Sequence, residues 1–182
     1  ENSEHGFKFT SISSLHDIPQ YVKDLRKGDV IFFDMDGVLF SKGGSQRDAD
    51  LLDNDILTFF EGLNKKNVSY FGLTARSHDQ TITTFKNLNR YGLDFDKKYH
   101  IDFQDSHAQY YKGILFSSNI HGIEKLSTKL CTLHKFLAYL KATYHPINRV
   151  IFIDDESFHF TQKQNLNFLE ALHLFEFTRK LN

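Results

Sequence analysis

The stretch Val30-Ile31-Phe32-Phe33-Asp34-Met35-Asp36-Gly37-Val38-Leu39-Phe40 constrains this chain more than any other. Four large apolar residues in a row, two of them β-branched, read as a strand buried on both faces. The strand runs straight into two carboxylates two positions apart, and a glycine follows. An unpaired buried charge is costly, so acids at the end of a buried strand call for a partner. A metal ion or phosphoryl chemistry would supply one.

Two more apolar runs end in polar groups. Val68-Ser69-Tyr70-Phe71-Gly72-Leu73 leads into Thr74-Ala75-Arg76, and Arg149-Val150-Ile151-Phe152-Ile153 ends in Asp154-Asp155. Gly113–Ser118 reads as another short strand and Leu174–Phe177 as a last one. Apolar residues at helical spacing predict a helix over residues 17–26, opened by Asp17 and Pro19, and another over 55–64. A third carries Ile82, Phe85 and Leu88 behind a Ser77 cap. A fourth carries Leu130, Leu133, Phe136, Leu137 and Leu140, and a fifth covers roughly 160–172. Residues 1–16 read as a loosely attached lead-in with a short edge strand at Phe7 and Phe9, ahead of a single domain over 17–182. Ser41–Ser45 reads as a flexible turn, and 93–111 shows no sustained periodicity.

Helices alternating with apolar strands predict an α/β domain, a mostly parallel sheet with helices on both faces. Ligands in such sheets bind at the carboxyl ends of the strands. Asp34 and Asp36, Thr74, and Asp154 and Asp155 would therefore converge on one spot.

The charge balance narrows the partners. Lys+Arg of 22 against Asp+Glu of 23 gives a formal charge of -1, with no global attraction to nucleic acid or to a membrane surface. No clear nucleic-acid-binding patch stands out. No run approaches the roughly 18 apolar residues of a membrane span, and no signal peptide is visible. The opening Glu1 reads as a mature form or a fragment. The single Cys131 has no internal disulfide partner, which fits a reducing compartment. The ten His are scattered and show no zinc-enzyme spacing.

With these motifs in order, the chain resembles the haloacid dehalogenase superfamily, whose members are mostly magnesium-dependent phosphatases and phosphotransferases. The resemblance spans Val30 to Asp155 and rests on four features: Asp34-Met35-Asp36-Gly37-Val38, Phe71-Gly72-Leu73-Thr74, a lysine opening the helix before the last core strand, and Asp154-Asp155. It implies a Rossmann-like sheet and a Mg²⁺ ion held by the Asp34 and Asp154 carboxylates and the Asp36 backbone carbonyl. By the same resemblance Asp34 is the nucleophile that forms an aspartyl-phosphate, and Asp36 is the general acid and base. Thr74 holds a phosphoryl oxygen, and Lys129 neutralises charge, with Lys125 as the other lysine; Arg76, just past the second strand, is either a contact to substrate phosphate or a surface residue near a helix start. Asp155 supports the metal shell through water or binds Lys129, with Ser157 assisting as a cap. The family often has Gly after this lysine, where this chain has Leu130.

The spacing bears on substrate size. Asp34 and Thr74 are 40 positions apart, and Thr74 and Lys129 are 55 apart, which leaves little room for an inserted cap domain. An open site suits a phosphate carried on a macromolecule, first a phosphoprotein, with phosphotyrosine and phosphoserine/threonine both open. The alternatives are a nucleic-acid end, a small metabolite, phosphotransfer in place of hydrolysis, and a non-catalytic binding module on the same fold. The resemblance runs to capless bacterial members, some of them effectors delivered into host cells. That sets export into a host beside a cytoplasmic location.

Overall fold

A computed structural model of the chain describes residues 7–41, 49–95, 99–118, 125–143, 147–155 and 172–178. Seven strands form one sheet: β1 (Phe7–Ile12), β2 (Asp29–Phe33), β3 (Ser69–Ser77), β4 (Gln109–Tyr111), β5 (Ile114–Ser118), β6 (Arg149–Asp154) and β7 (Leu172–Phe177). Their order is β1-β7-β6-β2-β3-β5-β4. Every pairing is parallel except that of β4 with β5. Among the described residues four α-helices accompany them: α1 (Ile18–Tyr21), α2 (Ile56–Lys65), α3 (Thr81–Arg90) and α4 (Lys125–Thr143). The fold is α/β and Rossmann-like, as expected.

The period of two in a strand divides β2 between two cores. Ile31 and Phe33 point to one face, where Phe33 meets the rings of Phe59 and Phe60 on α2, Tyr70 on β3 and Phe95. Val30 and Phe32 point to the other, where Phe32 packs on Phe71 and on Phe136 of α4. Burying one such phenylalanine contributes about 1.5–3 kcal/mol. The apolar runs of β2 and β6 are unbroken because helices cover both faces of the sheet.

Several elements differ from expectation. The described part of the lead-in is not loose: β1 is the edge strand, parallel to β7, and Leu15 behind it is buried. The helix expected over 17–26 is a 3₁₀ turn at Leu15–Asp17 followed by the single turn of α1. Ser14 rather than Asp17 forms the cap. The chain leaves the helix at Val22, which is extended at φ -121 and ψ 91; Asp24 is left-handed at φ 56, and the Arg149 guanidinium takes the carbonyls of Lys23 and Asp24 at 2.7 and 2.8 Å.

On α3 the buried positions are Thr84, Asn87 and Leu88, while Ile82 is 72% exposed. Within 93–111 the structure adds β4, which hairpins into β5 through a two-residue turn. Residues 42–45 of the flexible turn, the helix expected near 160–172, Ser157 and the Lys125 side chain lie outside the described residues. Among the described residues, no helix is long and apolar enough to cross a membrane.

Candidate functional site

The carboxyl ends of β2, β3 and β6 lie side by side, since β2 pairs with both of the others. Asp34 follows β2 directly, and its N–H donates to the Ile153 carbonyl at 2.9 Å, which holds it in register with the end of β6. The chain then folds back on itself. The Met35 carbonyl accepts N–H bonds from Leu39 and Phe40 at 3.0 and 2.9 Å. Gly37 stands at φ +86, and a Cβ there would run into the Asp155 carboxyl group. Only glycine offers both that conformation and that clearance.

Lys129, near the start of α4, reaches into this end of the sheet. Its Nζ donates to Asp34 Oδ1 and to Asp154 Oδ2, both at 2.8 Å. The lysine is 1% exposed and Asp154 0%. Asp34 Oδ1 also accepts the Met35 N–H at 2.9 Å. Burial works against the charge on Lys129, but Asp34 and Asp154 outweigh it and push its pKa up. Asp34 is pushed well above the ordinary carboxylate range, first by burial and then by Asp154, with Asp155 adding to it against the pull of Lys129.

Asp34, Asp154 and Asp155 can hold a metal ion: a carboxylate oxygen from each lies within 4.8 Å of the others. The ligand set is all oxygen, which suits a hard cation. Three carboxylates against the one Lys129 ammonium leave excess negative charge in a buried place, and a cation would offset it. Asp155 thus stands beside Asp34 and Asp154 in the acidic group.

Asp36 turns elsewhere. Arg76, on β3, donates from Nε to Asp36 Oδ2 at 2.9 Å and from Nη2 to Oδ1 at 2.6 Å. Its Nη1 donates to Thr84 Oγ1 on α3 at 3.0 Å, and its guanidinium lies 5.9 Å from the centre of the Phe40 ring. The guanidinium is buried, and three of its five N–H donors go to Asp36 and Thr84, so the structure turns Arg76 inward toward Asp36. Asp36 keeps a side chain 33% exposed, so one side of its carboxylate faces outward.

Thr74 is buried in the same strand, three residues before its end, where the pairing with β5 shifts register. Its Oγ1 accepts the Arg76 N–H at 3.1 Å, which leaves the hydroxyl hydrogen to donate. The Thr74 carbonyl accepts from Ser117 Oγ at 2.8 Å. Sequence reasoning missed Ser117, Thr84 and the inward turn of Arg76. The signal available for Ser117 was a polar residue closing the apolar run Ile114-Leu115-Phe116. His78 is exposed and Cys131 half-buried.

Residues 44–169 match a family described as "Protein of unknown function (DUF2608)", and the chain belongs to that family. No curated protein matches it. Among solved structures, a chain of "Structure of Pnkp1/Rnl/Hen1 complex" is similar, with a TM-score of 0.51 and 12% identity over 85% of this chain. The likeness covers 48% of that chain, so this chain spans about half its length. At that identity the likeness bears on the fold alone.

Proposed function

We propose that this chain is a Mg²⁺-dependent phosphomonoester hydrolase of the haloacid dehalogenase type, working through an aspartyl-phosphate at Asp34. The observation that carries the reading is the Lys129 ammonium bridging Asp34 and Asp154, with Asp155 beside them, at the carboxyl ends of adjacent parallel strands. A phosphate monoester needs positive charge around its oxygens, a nucleophile, and a proton for the leaving oxygen.

Asp34 Oδ1 is committed to Lys129 and the Met35 N–H, which leaves Oδ2 to attack phosphorus. As the new O–P bond forms, the bond from phosphorus to the leaving oxygen breaks. Asp36 gives its proton to that oxygen. Asp36 then takes a proton from water, whose oxygen attacks phosphorus and releases inorganic phosphate and the Asp34 carboxylate. Thr74 donates its hydroxyl hydrogen to a phosphoryl oxygen, and Lys129 offsets negative charge on the nucleophile's side. Asp34 and Asp154, with Asp155 beside them and the Asp36 backbone carbonyl, would hold Mg²⁺, which when bound would supply further positive charge for the phosphoryl group.

The substrate in this reading is a phosphate on a macromolecule, a phosphoprotein first. The short spacings from Asp34 to Thr74 and from Thr74 to Lys129 support it. Among the described residues, the strands and helices in those intervals belong to the sheet or pack on it.

Hydrolysis of 4-nitrophenyl phosphate with and without Mg²⁺ tests the proposal. Turnover is expected only with the cation, and Asp34→Asn is expected to abolish it while the circular dichroism spectrum keeps its shape. An Asp34→Asn protein as fast as the parent would remove the nucleophile assignment. A parent inert with Mg²⁺ on aryl and peptide phosphates would remove the hydrolase reading.

A further inference from the structure

An open groove of about 720 Å³ runs between α3 and the β4–β5 hairpin, outside the acidic site. Its described walls carry Ile82, Phe85, Lys86, Tyr111 and Lys112, with Asp94 as the acid among them. Two features mark it as more than a surface crease.

The first is the exposure of large apolar groups. Ile82 is 72% and Tyr111 48% exposed, and both stand on this groove. Phe85 and Tyr111 meet edge to face across it, with ring centres 5.4 Å apart, so the apolar wall is already assembled.

The second is the conformation of Lys112. At φ 45 it is left-handed, next to Gly113 at φ 86, in the tight turn of the hairpin. Turns with two positive φ values favour Asn or Asp followed by Gly. Asp24 and Asn67, the other described non-glycine residues with positive φ, are the types that tolerate it. A lysine is the costlier choice, and here its ammonium lies 5.4 Å from the centre of the Tyr111 ring on the groove's wall. With Lys86, the groove thus presents two cations beside an apolar floor.

The groove is also in register with the site. Gln109 on β4 pairs with Phe116, which pairs with Thr74. From β2 to β4 is three strand spacings, or roughly 14 Å. An extended chain covers that distance in about four or five residues.

We propose that this groove receives an extended acidic segment flanking the phosphorylated residue of a polypeptide substrate, its carboxylates on Lys86 and Lys112 and its apolar side chains against Ile82 and Tyr111. The proposal rests on the hydrolase reading and adds to it the class of substrate. A polypeptide fits because two lysines beside exposed apolar side chains complement a segment that carries both carboxylates and apolar residues.

The test compares phosphopeptides with an acidic flank, on either side of the phosphoresidue, against neutral-flanked ones. The parent and a Lys86→Glu/Lys112→Glu protein are assayed, each normalised to its own 4-nitrophenyl phosphate kcat/KM. An acidic flank is expected to raise the parent's normalised kcat/KM about tenfold, and the double substitution to remove that gain. Equal rates for the two flanks would overturn the proposal. So would a preference that survives the substitution, or one seen instead with a 5′- or 3′-phosphorylated oligonucleotide. Fluorescence anisotropy of a labelled, unphosphorylated acidic peptide separates this from the hydrolase reading. Binding by the parent that the double substitution loses would uphold the groove even if no phosphate were released, and absence of binding by the parent would overturn it.

Discussion

Arg76 grips both oxygens of Asp36, Nε on Oδ2 at 2.9 Å and Nη2 on Oδ1 at 2.6 Å, from the neighbouring strand's end. A two-pronged guanidinium–carboxylate pair fixes the plane of the acid as well as its position. Thr84 holds the far side of the guanidinium, so α3 buttresses the geometry of Asp36.

Arg76→Lys keeps the charge and loses the fork. If Asp36 moves the leaving-group proton, its misplacement should lower kcat/KM by about 10²-fold on alkyl phosphates. The loss on 4-nitrophenyl phosphate should be much smaller, because nitrophenolate leaves without help. Steady-state rates across a series of leaving groups check this. A uniform loss across the series would separate Arg76 from proton transfer.

Lys129→Met removes the cation from between two buried carboxylates. Leaving such charges uncompensated costs about 3–5 kcal/mol. Because the folded pKa of Lys129 is raised above its ordinary 10.5, the lysine's contribution is fully present below that pH and disappears as pH climbs through the folded value. In the variant the loss should be largest near neutrality and shrink toward acid pH, as Asp34 takes up a proton. Urea unfolding at pH 5 and pH 8 measures both arms. A loss under about 1 kcal/mol at pH 8 would mean that the carboxylates are held by something other than this ammonium.

How far the chain could be read in advance follows from what each residue's neighbours in sequence reveal. Phe32 and Phe33 are buried on opposite faces of a covered sheet, so the run was legible as a strand without knowing its partners. Lys129 was legible from its place at the head of an amphipathic helix, and the structure puts it on Asp34 despite Leu130 in the next position. Arg76 was not, because its partner Asp36 belongs to another strand and local spacing carries no trace of that pairing. The same applies to α3: Leu88 is buried and Phe85 packs against the core as the pattern predicts, but the buried side also takes in Thr84, which serves Arg76, while Ile82 points outward. α1 was overestimated because Val22 turns extended and Asp24 left-handed, a path on which Arg149, remote in sequence, takes the carbonyls of Lys23 and Asp24.

The acidic group predicts a linked response to pH and to Mg²⁺. Asp34's folded pKa lies above its ordinary 3.8. Between those two values the folded chain holds a proton that the unfolded chain has released, so stability contributed by this group falls as pH rises through the window. Mg²⁺ favours the ionised carboxylates and should reverse the trend. At a hundredfold excess over its Kd, a cation binding the folded state alone adds about 2.7 kcal/mol. Thermal unfolding across pH, in chelator and in Mg²⁺, tests this. Asp155→Asn should shrink the Mg²⁺ shift, and a shift of unchanged size would take Asp155 out of the metal's ligand set.

Gly37 offers a sharper probe of the same place, because it touches the acidic group through space alone. At φ +86 an alanine costs about 1–2 kcal/mol in backbone strain. Its methyl group would also occupy the position of the Asp155 carboxyl, forcing either that side chain or the Asp36–Phe40 turn to move. Gly37→Ala should therefore lower stability and reduce the Mg²⁺-induced rise in Tm together. Gly62 is the matching control: it lies inside α2, and a methyl group there would meet nothing within 4 Å beyond its own helix backbone. Gly62→Ala should stabilise by about 0.5–1 kcal/mol, through the helix alone, and leave the Mg²⁺ response at the parent's value. If Gly37→Ala lost stability yet kept the full Mg²⁺ shift, the close approach of Gly37 to Asp155 would be a feature of packing and not of the metal site.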